Sequence, residues 1–285
     1  MPGHGFMSSW LLGIVLGVVQ GVSEWLPVSS KTQVIIASTY LFGLNFNEAY
    51  ALGLFLEAGT FIAASFYFRH EVWKVLLALV GKGDEEGRVL LKFLLVVTLV
   101  TGLVGVALYT TVQSVSGPAL GLPMIVLGCI LMGDALLITY AKGRYVPTKG
   151  LKDLSLKELV LVGIVQGISA LPGVSRSGVT VSVMLLLGIN PRDSFKLSFL
   201  ALIPASIGAA GVTVLFSDVS VTGAIASITP QVIVLAVLVS VAMGVAFIGL
   251  LLRVAGSRRI ALLTFALGVL ALASGIVSIL SGIGG

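Results

Sequence analysis

The chain has 285 residues, of which 57% are hydrophobic and 10% charged, and its mean hydropathy is +1.13. This composition is that of an integral membrane protein and excludes an ordinary soluble domain. The chain length therefore limits the number of membrane segments and not the number of soluble domains. The formal net charge of +5 does not indicate a nucleic-acid partner, because the cations lie in short loops between apolar runs, where they set topology.

Ten apolar stretches follow one another along the chain, and the second and seventh are too short to cross a bilayer. A spanning helix needs about 20 residues, whereas a short apolar helix after a proline-interrupted segment is typical of a re-entrant hairpin. We therefore predict six spans and two re-entrant pairs. The stretches are 9–26, 33–44, 50–68, 89–112, 122–141, 156–171, 179–189, 195–216, 231–253 and 260–280.

The two halves of the chain repeat each other. Residues 26–32 (LPVSSKT) align with 171–177 (LPGVSRS), and residues 43–50 align with 188–195 at the same offset. We predict an all-α membrane protein with one domain over residues 1–285, built of two repeats at about 9–141 and 156–281. Each repeat is a re-entrant pair plus three spans. Because three is an odd number of crossings, the second repeat is inverted relative to the first. This arrangement places a site at the interface of the repeats, near the membrane midplane.

Basic residues mark one side of this topology. All but two of the 17 Lys and Arg residues fall on that side, whereas the loops at 113–121 and 217–229 carry none. The positive-inside rule then predicts a multi-pass protein of the plasma membrane, with its termini and the mouth of the first hairpin on the outer face.

The two exceptions are Lys31 and Arg176, which occupy equivalent positions at the tips of the two hairpins. Ten full crossings would give the same loop charges but would place these residues about 30 Å apart on opposite faces. Two hairpins that enter from opposite sides bring both tips to the middle of the membrane, so we prefer six spans.

The first hairpin, residues 20–33 (QGVSEWLPVSSKTQ), places polar side chains at membrane depth. An ionisable residue there indicates a functional site, because its burial is costly. Glu24, beside Ser29 and Ser30, has the chemistry of a general base or of a ligand that holds a divalent cation against a phosphate. The alternative is a structural ion pair of Glu24 with Lys31 or Arg176.

Two further residues are candidates for the same site. Gln20 lies one helical turn before Glu24, and it either contacts a ligand or bonds the backbone of the broken helix. Glu57 lies in the middle of the third stretch, where its repeat-mate is Leu202. The symmetry of the fold therefore does not require an acid there, and we place Glu57 in the site.

The second hairpin contains residues 172–180 (PGVSRSGVT), which are typical of an anion-binding loop. Arg176 offers a fork of donors that matches the oxygens of a phosphate, while Ser175, Ser177 and Thr180 add hydroxyl groups. The short helix that follows presents its N-terminal N–H groups to an anion. The alternative is that Arg176 caps carbonyl groups of the broken helix.

At these two motifs the chain resembles the undecaprenyl-diphosphatase (bacitracin-resistance) family of membrane phosphatases. Residues 20–30 match the pattern (E/Q)-G-x-(T/S)-E-(F/W)-L-P-(V/I)-S-S, and residues 172–180 match P-G-x-S-R-S-G-x-T. The resemblance implies removal of the terminal phosphate from undecaprenyl diphosphate, which yields the lipid carrier of surface polysaccharide synthesis. It also implies a divalent cation, Mg²⁺ or Ca²⁺, and a site that opens to the outer face.

Carried over by position, the resemblance makes Glu24 the essential acid and a metal ligand. Ser30 becomes the nucleophile or a phosphate ligand, and Arg176 the clamp on the phosphate. The substrate-binding residues that we predict in addition are Gln20, Ser29, Lys31, Gln33, Glu57, Gly173, Ser175, Ser177 and Thr180. The expected partners are a polyprenyl diphosphate lipid and the membrane, and small residues at Gly268, Ala271 and Gly275 predict helix packing that extends to the seam of a homodimer.

The chain departs from the family pattern at three places. It has Gln20 where the family commonly has Glu, Lys31-Thr32-Gln33 where the family has Thr-Gly-His, and Glu57 where the family has Gln. Gln33 carries no proton and cannot attack phosphorus, so a mechanism that needs histidine there is excluded. We hypothesise that Glu57 restores the lost carboxylate, as a second candidate metal ligand, and that Lys31 joins Arg176 as a second phosphate-binding cation.

The predicted function is phosphoryl transfer to water, with Glu24 activating Ser30 or a water molecule. The alternative is a transporter or flippase that binds a polyprenyl phosphate in the same loop without hydrolysis, which inverted repeats and broken helices suit equally well. A channel would leave the Glu, Ser and Arg set unexplained.

Overall fold

The computed structural model describes residues 7–26, 28–43, 46–113, 121–140, 148–170, 174–216, 229–255 and 260–281. These residues form eleven α-helices, one short 3₁₀ helix at Leu151–Asp153 and no strand beyond an isolated bridge. The helices are α1 (Met7–Ser23), α2 (Ser30–Phe42), α3 (Phe46–Tyr67), α4 (Arg69–Leu79), α5 (Glu85–Gln113), α6 (Gly121–Tyr140), α7 (Leu156–Ile168), α8 (Arg176–Leu186), α9 (Pro191–Phe216), α10 (Pro230–Ala255) and α11 (Ile260–Leu280).

Local signals set the ends of several helices. α7 begins with a capping box in which Ser155 accepts from the N–H of Glu158, and the Glu158 carboxylate accepts from the N–H of Ser155. Short helices α2 and α8 are followed by Gly43 and Gly188, at φ of 68° and 88°. Only glycine adopts such angles without strain, so these two equivalent glycines end both short helices in the same way.

The helix lengths confirm which apolar stretches are short. α2 has 13 residues and α8 has 11, which at about 1.5 Å per residue is well below the thickness of the hydrocarbon core. In the part of the chain that the structure describes, three segments are long and apolar enough to cross a membrane: Glu85–Leu108, Pro230–Ala255 and Ala261–Leu280. The prediction of an all-helical membrane protein is therefore confirmed.

Helix α4 was not predicted from the sequence, which we interpreted there as a loop. It buries none of its residues and exposes Trp73. Lys74 pairs with Asp84 and Glu86 near the start of α5, and its hydrogen bond to Glu86 raises the pKa of Lys74. With 11 residues, α4 is too short to cross a membrane.

Close contacts between helices from different halves hold the bundle together. A methyl group added to Gly21 of α1 would lie 2.7 Å from the carbonyl oxygen of Ser240 in α10. One added to Gly163 of α7 would lie 3.0 Å from the carbonyl oxygen of Val97 in α5. Helix α1 of the first half thus packs on α10 of the second, and α7 of the second half packs on α5 of the first.

The last helices of the two halves, α6 and α11, make an equally close contact. A methyl group added to Gly128 would lie 2.8 Å from the carbonyl oxygen of Gly268, and one added to Gly268 would lie 3.0 Å from that of Gly128. Ala271, one turn after Gly268, is fully buried. The face of α11 that carries Gly268 therefore packs against α6 of the same chain.

A hydrophobic cluster fixes the first hairpin against the second half. Trp25, directly after Glu24, is completely buried, and its ring meets that of Phe199 in α9 edge-on, with centroids 5.0 Å apart. Phe93 of α5 and Ile248 of α10 belong to the same cluster. The packing of Trp25 therefore sets the position of the neighbouring carboxylate.

Candidate active site

An ion pair joins the two hairpins. Arg176 Nη2, at the start of α8, donates to Glu24 Oε1, just beyond the end of α1, at 2.6 Å. Both side chains are largely removed from solvent, with 15% and 5% of their surfaces exposed. The structure thus brings together the acid and the guanidinium that the sequence places in different halves of the chain.

The second oxygen of Glu24 accepts two further hydrogen bonds. Ser30 Oγ donates to Glu24 Oε2 at 2.6 Å, and Gln20 Nε2 donates to the same oxygen at 3.0 Å. Gln20 is completely buried, and its Oε1 has no hydrogen-bond partner. Glu24 is therefore the centre of a buried polar cluster that joins α1, α2 and α8.

Arg176 has a second polar contact that the sequence did not indicate. Its Nη1 donates to Ser206 Oγ in α9 at 3.4 Å, while its buried Nε has no partner. Ser206 lies one helical turn after Leu202, which is equivalent to Glu57 in the first repeat. This proximity is the feature of the sequence that could have pointed to Ser206. The described hydrogen bonds of the Arg176 guanidinium thus go to side chains, which does not match the alternative that it caps backbone carbonyls.

Two hydroxyl groups of the second hairpin donate hydrogen bonds to the backbone carbonyl of Leu26. Ser177 Oγ donates to Leu26 O at 2.9 Å and Ser175 Oγ at 3.2 Å. This carbonyl lies where the first helix is broken, so the two hydroxyl groups satisfy a backbone acceptor that lost its helical partner. Thr180 Oγ1 donates to Arg176 O at 2.7 Å and lies 2.5 Å from Ser198 Oγ in α9.

Serine residues also cap both short helices. Ser29 Oγ accepts from Thr32 N at 3.5 Å at the start of α2, and Ser175 Oγ accepts from Gly178 N at 3.2 Å at the start of α8. Each serine satisfies one N–H group of a first helical turn. Both helix N-termini therefore begin beside the Glu24–Arg176 pair.

A second ion pair lies next to the first. Lys31 Nζ, one residue after Ser30, is 3.0 Å from Glu57 Oε1 in α3. Glu57 is 9% exposed and Lys31 is 35% exposed, so the carboxylate is buried and the lysine side chain is partly exposed. Two acids and two cations are thus paired near the first hairpin.

Gln33 lies one turn after Ser30 in α2, beside an apolar groove. The groove has a volume of about 480 Å³, and its lining residues are Val19, Gln33, Ile36, Ala37, Leu41, Val277 and Ser281. The buried Nε2 of Gln33 has no partner. Gly173, which we predicted to bind substrate, lies outside the described residues, as does Pro27.

A larger cavity, of about 600 Å³, contains none of the predicted site residues. Its lining residues are Asp84, Glu85, Glu86, Val89, Leu90, Gly150, Leu151, Lys152, Asp193, Lys196, Leu197 and Leu200. Cavity volume therefore does not identify the candidate active site of this protein.

The donors around Glu24 suit a hard divalent cation. No group of three or more His, Cys, Asp or Glu side chains occurs among the described residues. Mg²⁺ commonly binds through one or two carboxylates together with phosphate oxygens, and it keeps several waters. Glu24, Glu57 and the partnerless Gln20 Oε1 are oxygen donors of this type, and the two carboxylates are paired with Arg176 and Lys31 respectively.

The chain is similar to known proteins over almost all of its length. The family model described as bacitracin resistance protein BacA matches residues 13–275. An undecaprenyl-diphosphatase of Saccharolobus solfataricus is 50% identical over 273 residues, which cover 95% of this chain and 98% of the relative. Undecaprenyl-diphosphatases of Sulfurisphaera tokodaii and Pyrobaculum islandicum are 44% and 42% identical over 94% and 95% of this chain, and over 97% and 98% of their own lengths.

Proposed function

The chain belongs to the bacitracin resistance protein BacA family, and on that premise we propose that it is an undecaprenyl-diphosphatase. It hydrolyses the terminal phosphate of a polyprenyl diphosphate in the membrane and yields the monophosphate. One observation links this function to particular residues. The hydroxyl group of Ser30 and the guanidinium of Arg176, from different hairpins, both donate to the carboxylate of Glu24. The names of the relatives are those of a phosphatase and not of a transporter.

The chemistry follows from the two oxygens of Glu24. Ser30 Oγ–H points at Oε2, so Glu24 takes the proton as Ser30 Oγ attacks the terminal phosphorus. The bond between that phosphorus and the bridging oxygen breaks, and the lipid monophosphate leaves. A water molecule then hydrolyses the phosphoserine. In the other route Glu24 takes the proton of a water that attacks directly, and Ser30 only binds the phosphate.

Arg176 links substrate binding to this proton transfer. Its Nη2 is held by Glu24 before substrate arrives. A phosphate that enters beside Ser30 competes for the guanidinium, because the fork of Arg donors binds phosphate oxygens as well as it binds a carboxylate. Glu24 then loses its cation partner at the moment when it must accept a proton. The same guanidinium stabilises the charge of the transition state.

The divalent cation is part of the proposal. Glu24 would hold it, with Glu57 as the second carboxylate, and the bound Mg²⁺ or Ca²⁺ would neutralise phosphate charge. Gln20, through its partnerless Oε1, is a further candidate ligand.

The remaining predicted residues support or contact the phosphate. Ser29 and Ser175 fix the two helix N-termini, whose N–H groups favour an anion. Ser177 and Thr180 are engaged with backbone carbonyls and Ser198, so we assign them to the shape of the loop. Gln33 occupies the boundary between the polar cluster and the apolar groove.

We further propose the six-span inverted repeat, in the plasma membrane with the site open to the outer face. In a two-fold repeat, α1 is equivalent to α7 and α10 is equivalent to α5. The α1–α10 and α7–α5 contacts are then equivalent to each other, which supports this arrangement. The contact between the hairpin tips favours six spans over ten, which would separate them by about 30 Å. A homodimer stays a prediction, and its seam would use a face other than that of Gly268, which packs on α6.

Phosphate release from detergent-solubilised undecaprenyl diphosphate tests the function. The purified protein is expected to release one phosphate per lipid and to leave the monophosphate intact. EDTA should abolish release, and Mg²⁺ or Ca²⁺ should restore it. If no phosphate appears under any metal condition while the lipid still binds, the flippase replaces the phosphatase.

A further inference from the structure

The apolar groove beside Gln33 has no part in the chemistry at Glu24. It has a volume of about 480 Å³ and is lined by residues of α1, α2 and α11. We propose that this groove binds the first isoprene units of the lipid chain, with Gln33 donating to the phosphate that stays on the lipid. The subsite rests on the proposed function and deepens it, because it specifies where the chain lies and which residue marks its junction with the diphosphate.

The groove continues the face of α2 that carries the reactive hydroxyl. Ser30 begins this face and donates to Glu24. Three lining residues of the groove follow Ser30 on the same face, at spacings of three, seven and eleven residues: Gln33, Ala37 and Leu41. A ligand whose terminal phosphate lies against Ser30 therefore reaches the groove by following one face of one helix.

The order of residues along this face matches the order of groups along the ligand. At 1.5 Å per residue, Gln33 lies about 4.5 Å along the helix axis from Ser30, and Leu41 lies about 12 Å beyond Gln33. A prenyl diphosphate presents two linked phosphates and then its isoprene units in the same order. With the terminal phosphate at Ser30, the lipid-side phosphate thus lies near Gln33 and the chain extends along Ala37 toward Leu41.

Gln33 is the polar group at this junction. Its Nε2 is buried and has no hydrogen-bond partner, although a buried donor without a partner is unfavourable. An amide N–H donates to a phosphate oxygen without adding a charge to the groove. A phosphate oxygen at this point satisfies the donor, which accounts for a glutamine among lining residues that are otherwise apolar apart from Ser281.

The rest of the groove suits a hydrocarbon chain. Five of its seven lining residues are apolar and none of the seven is charged. Leu41 of α2 and Val277 of α11 are 65% and 51% exposed, so a long chain can leave the groove sideways into the membrane. Because lipid tails are as apolar as these side chains, the groove gains little from the hydrophobic effect. Its contribution is to hold the chain in one direction, which keeps the diphosphate against Ser30.

Side chains that fill the groove test the chain subsite apart from catalysis. The ligands are farnesyl methylenediphosphonate and methyl methylenediphosphonate, which share a non-hydrolysable head. Calorimetry on the full chain in detergent with Mg²⁺ measures their affinities. Ala37→Phe and Val277→Trp place a bulky group in the groove from α2 and from α11.

Because overpacking of a filled site is costly, we expect each of these two variants to weaken the farnesyl ligand by about tenfold or more and the methyl ligand by less than about threefold. Leu99→Trp, at an exposed position of α5 outside the groove, is the matched control and should change neither affinity. If Ala37→Phe does not fold, Val277→Trp still reports the ratio, since that residue is half exposed.

Gln33 is tested by two effects of opposite sign. Gln33→Leu should weaken both ligands alike, by about 10- to 100-fold, because both keep the phosphate that accepts its hydrogen bond and a hydrogen bond to a charged group is strong. The same variant should melt at or above the wild-type temperature, because it removes a buried donor that has no partner in the protein. A merely structural glutamine would lower the melting temperature instead and leave both affinities unchanged.

Three results would overturn the assignment of this subsite. Equal losses of both ligands in the filled variants would show a general distortion, and no loss of the farnesyl ligand would show that an ordinary membrane lipid occupies the groove. A Gln33→Leu protein that binds both ligands as the wild type does would separate Gln33 from the phosphate.

The proposed function fails separately from the subsite. A wild-type protein whose farnesyl affinity depends on the groove but which releases no phosphate keeps the subsite and loses the phosphatase. A protein that hydrolyses the lipid while the filled variants bind farnesyl methylenediphosphonate normally does the reverse.

Discussion

Arg176 and Glu24 are 152 residues apart in the chain, and their side chains meet at 2.6 Å. A buried pair of this kind contributes little net stability, because desolvation of both ions offsets their attraction. Loss of one partner leaves the other as an unpaired buried charge, and that is strongly unfavourable. Each buried charge therefore depends on the one from the other hairpin, and under the proposed function an entering phosphate competes with Glu24 for the guanidinium.

Replacement of Glu24 by Gln removes the proton acceptor and keeps the shape of the side chain. Since general base catalysis contributes about 10²- to 10⁴-fold, we expect turnover of the lipid diphosphate to fall by that range. Initial rates of phosphate release measure it, and Glu85→Gln, an exposed glutamate at the start of α5, is the control. Turnover of Glu24→Gln within threefold of wild type would rule out Glu24 as the base.

Ser30→Ala distinguishes the two routes of hydrolysis. The 2.6 Å contact with Glu24 Oε2 favours Ser30 as the nucleophile, so we expect turnover to fall by about 10³ or more. Wild-type enzyme quenched in acid during turnover should retain labelled phosphate on serine. Ser182→Ala is the control, because that buried hydroxyl in α8 has no partner. Turnover within about tenfold of wild type would assign the attack to water.

Ser206 positions the guanidinium through Arg176 Nη1. Because a single hydrogen bond contributes about 0.5–1.5 kcal/mol net, Ser206→Ala should lower kcat/KM by up to about tenfold. Arg176→Ala should lower it by about 10² or more, because the transition-state charge loses its main donor. In an Arg176→Ala background the Ser206→Ala change should have no further effect on the rate. Additive losses would show that Ser206 acts independently of Arg176.

The sequence was sufficient to place the acid, the hydroxyl and the guanidinium in one site. The repeat predicted two broken hairpins, and charges that no loop explained marked their tips at Lys31 and Arg176. The sequence did not indicate Ser206, since a serine inside an apolar helix carries no periodic signal. It also did not show that Ser175 and Ser177 bond the Leu26 carbonyl, because the loss of that carbonyl's helical partner appears only when the two hairpins meet.

Helix α4 illustrates a different limit. Arg69, Glu71 and Lys74 interrupt the hydrophobic pattern of residues 69–79, and for this reason the sequence analysis predicted no apolar stretch there. In the structure this segment is helical, Lys74 pairs with Asp84, and Glu71 pairs with Lys196 in α9. The sequence pattern indicated neither contact.

Ser175 and Ser177 should prove partly redundant. Each donates to Leu26 O, so either single Ala variant leaves one donor in place and should cost about 0.5–1.5 kcal/mol of unfolding free energy. The double variant leaves a buried carbonyl unsatisfied and should cost about 1–3 kcal/mol more than the sum. Thermal unfolding in detergent measures these effects, with Ser182→Ala as the control. Strict additivity would mean that the two hydroxyl groups do not share this acceptor.

Gly21 sets the distance between α1 and α10, and α1 carries Gln20 toward Glu24. A methyl group at Gly21 would lie 2.7 Å from Ser240 O and 2.8 Å from Met243 Cβ, and neither the backbone nor a Cβ atom moves without the helix. Overpacking of this kind costs about 1–3 kcal/mol, so Gly21→Ala should lower the melting temperature. It should also reduce turnover, because a shift of α1 moves Glu24 away from Arg176.

Gly102→Ala in α5 is the matched control for this substitution. A methyl group there meets no atom within 4 Å, and alanine in a helix is about 1 kcal/mol more favourable than glycine. Gly102→Ala should therefore melt at or above the wild-type temperature with full turnover. Thermal unfolding and phosphate release on the same samples measure both effects. A Gly21→Ala protein as stable and active as Gly102→Ala would show that the position of Glu24 does not depend on the close approach of α1 to α10.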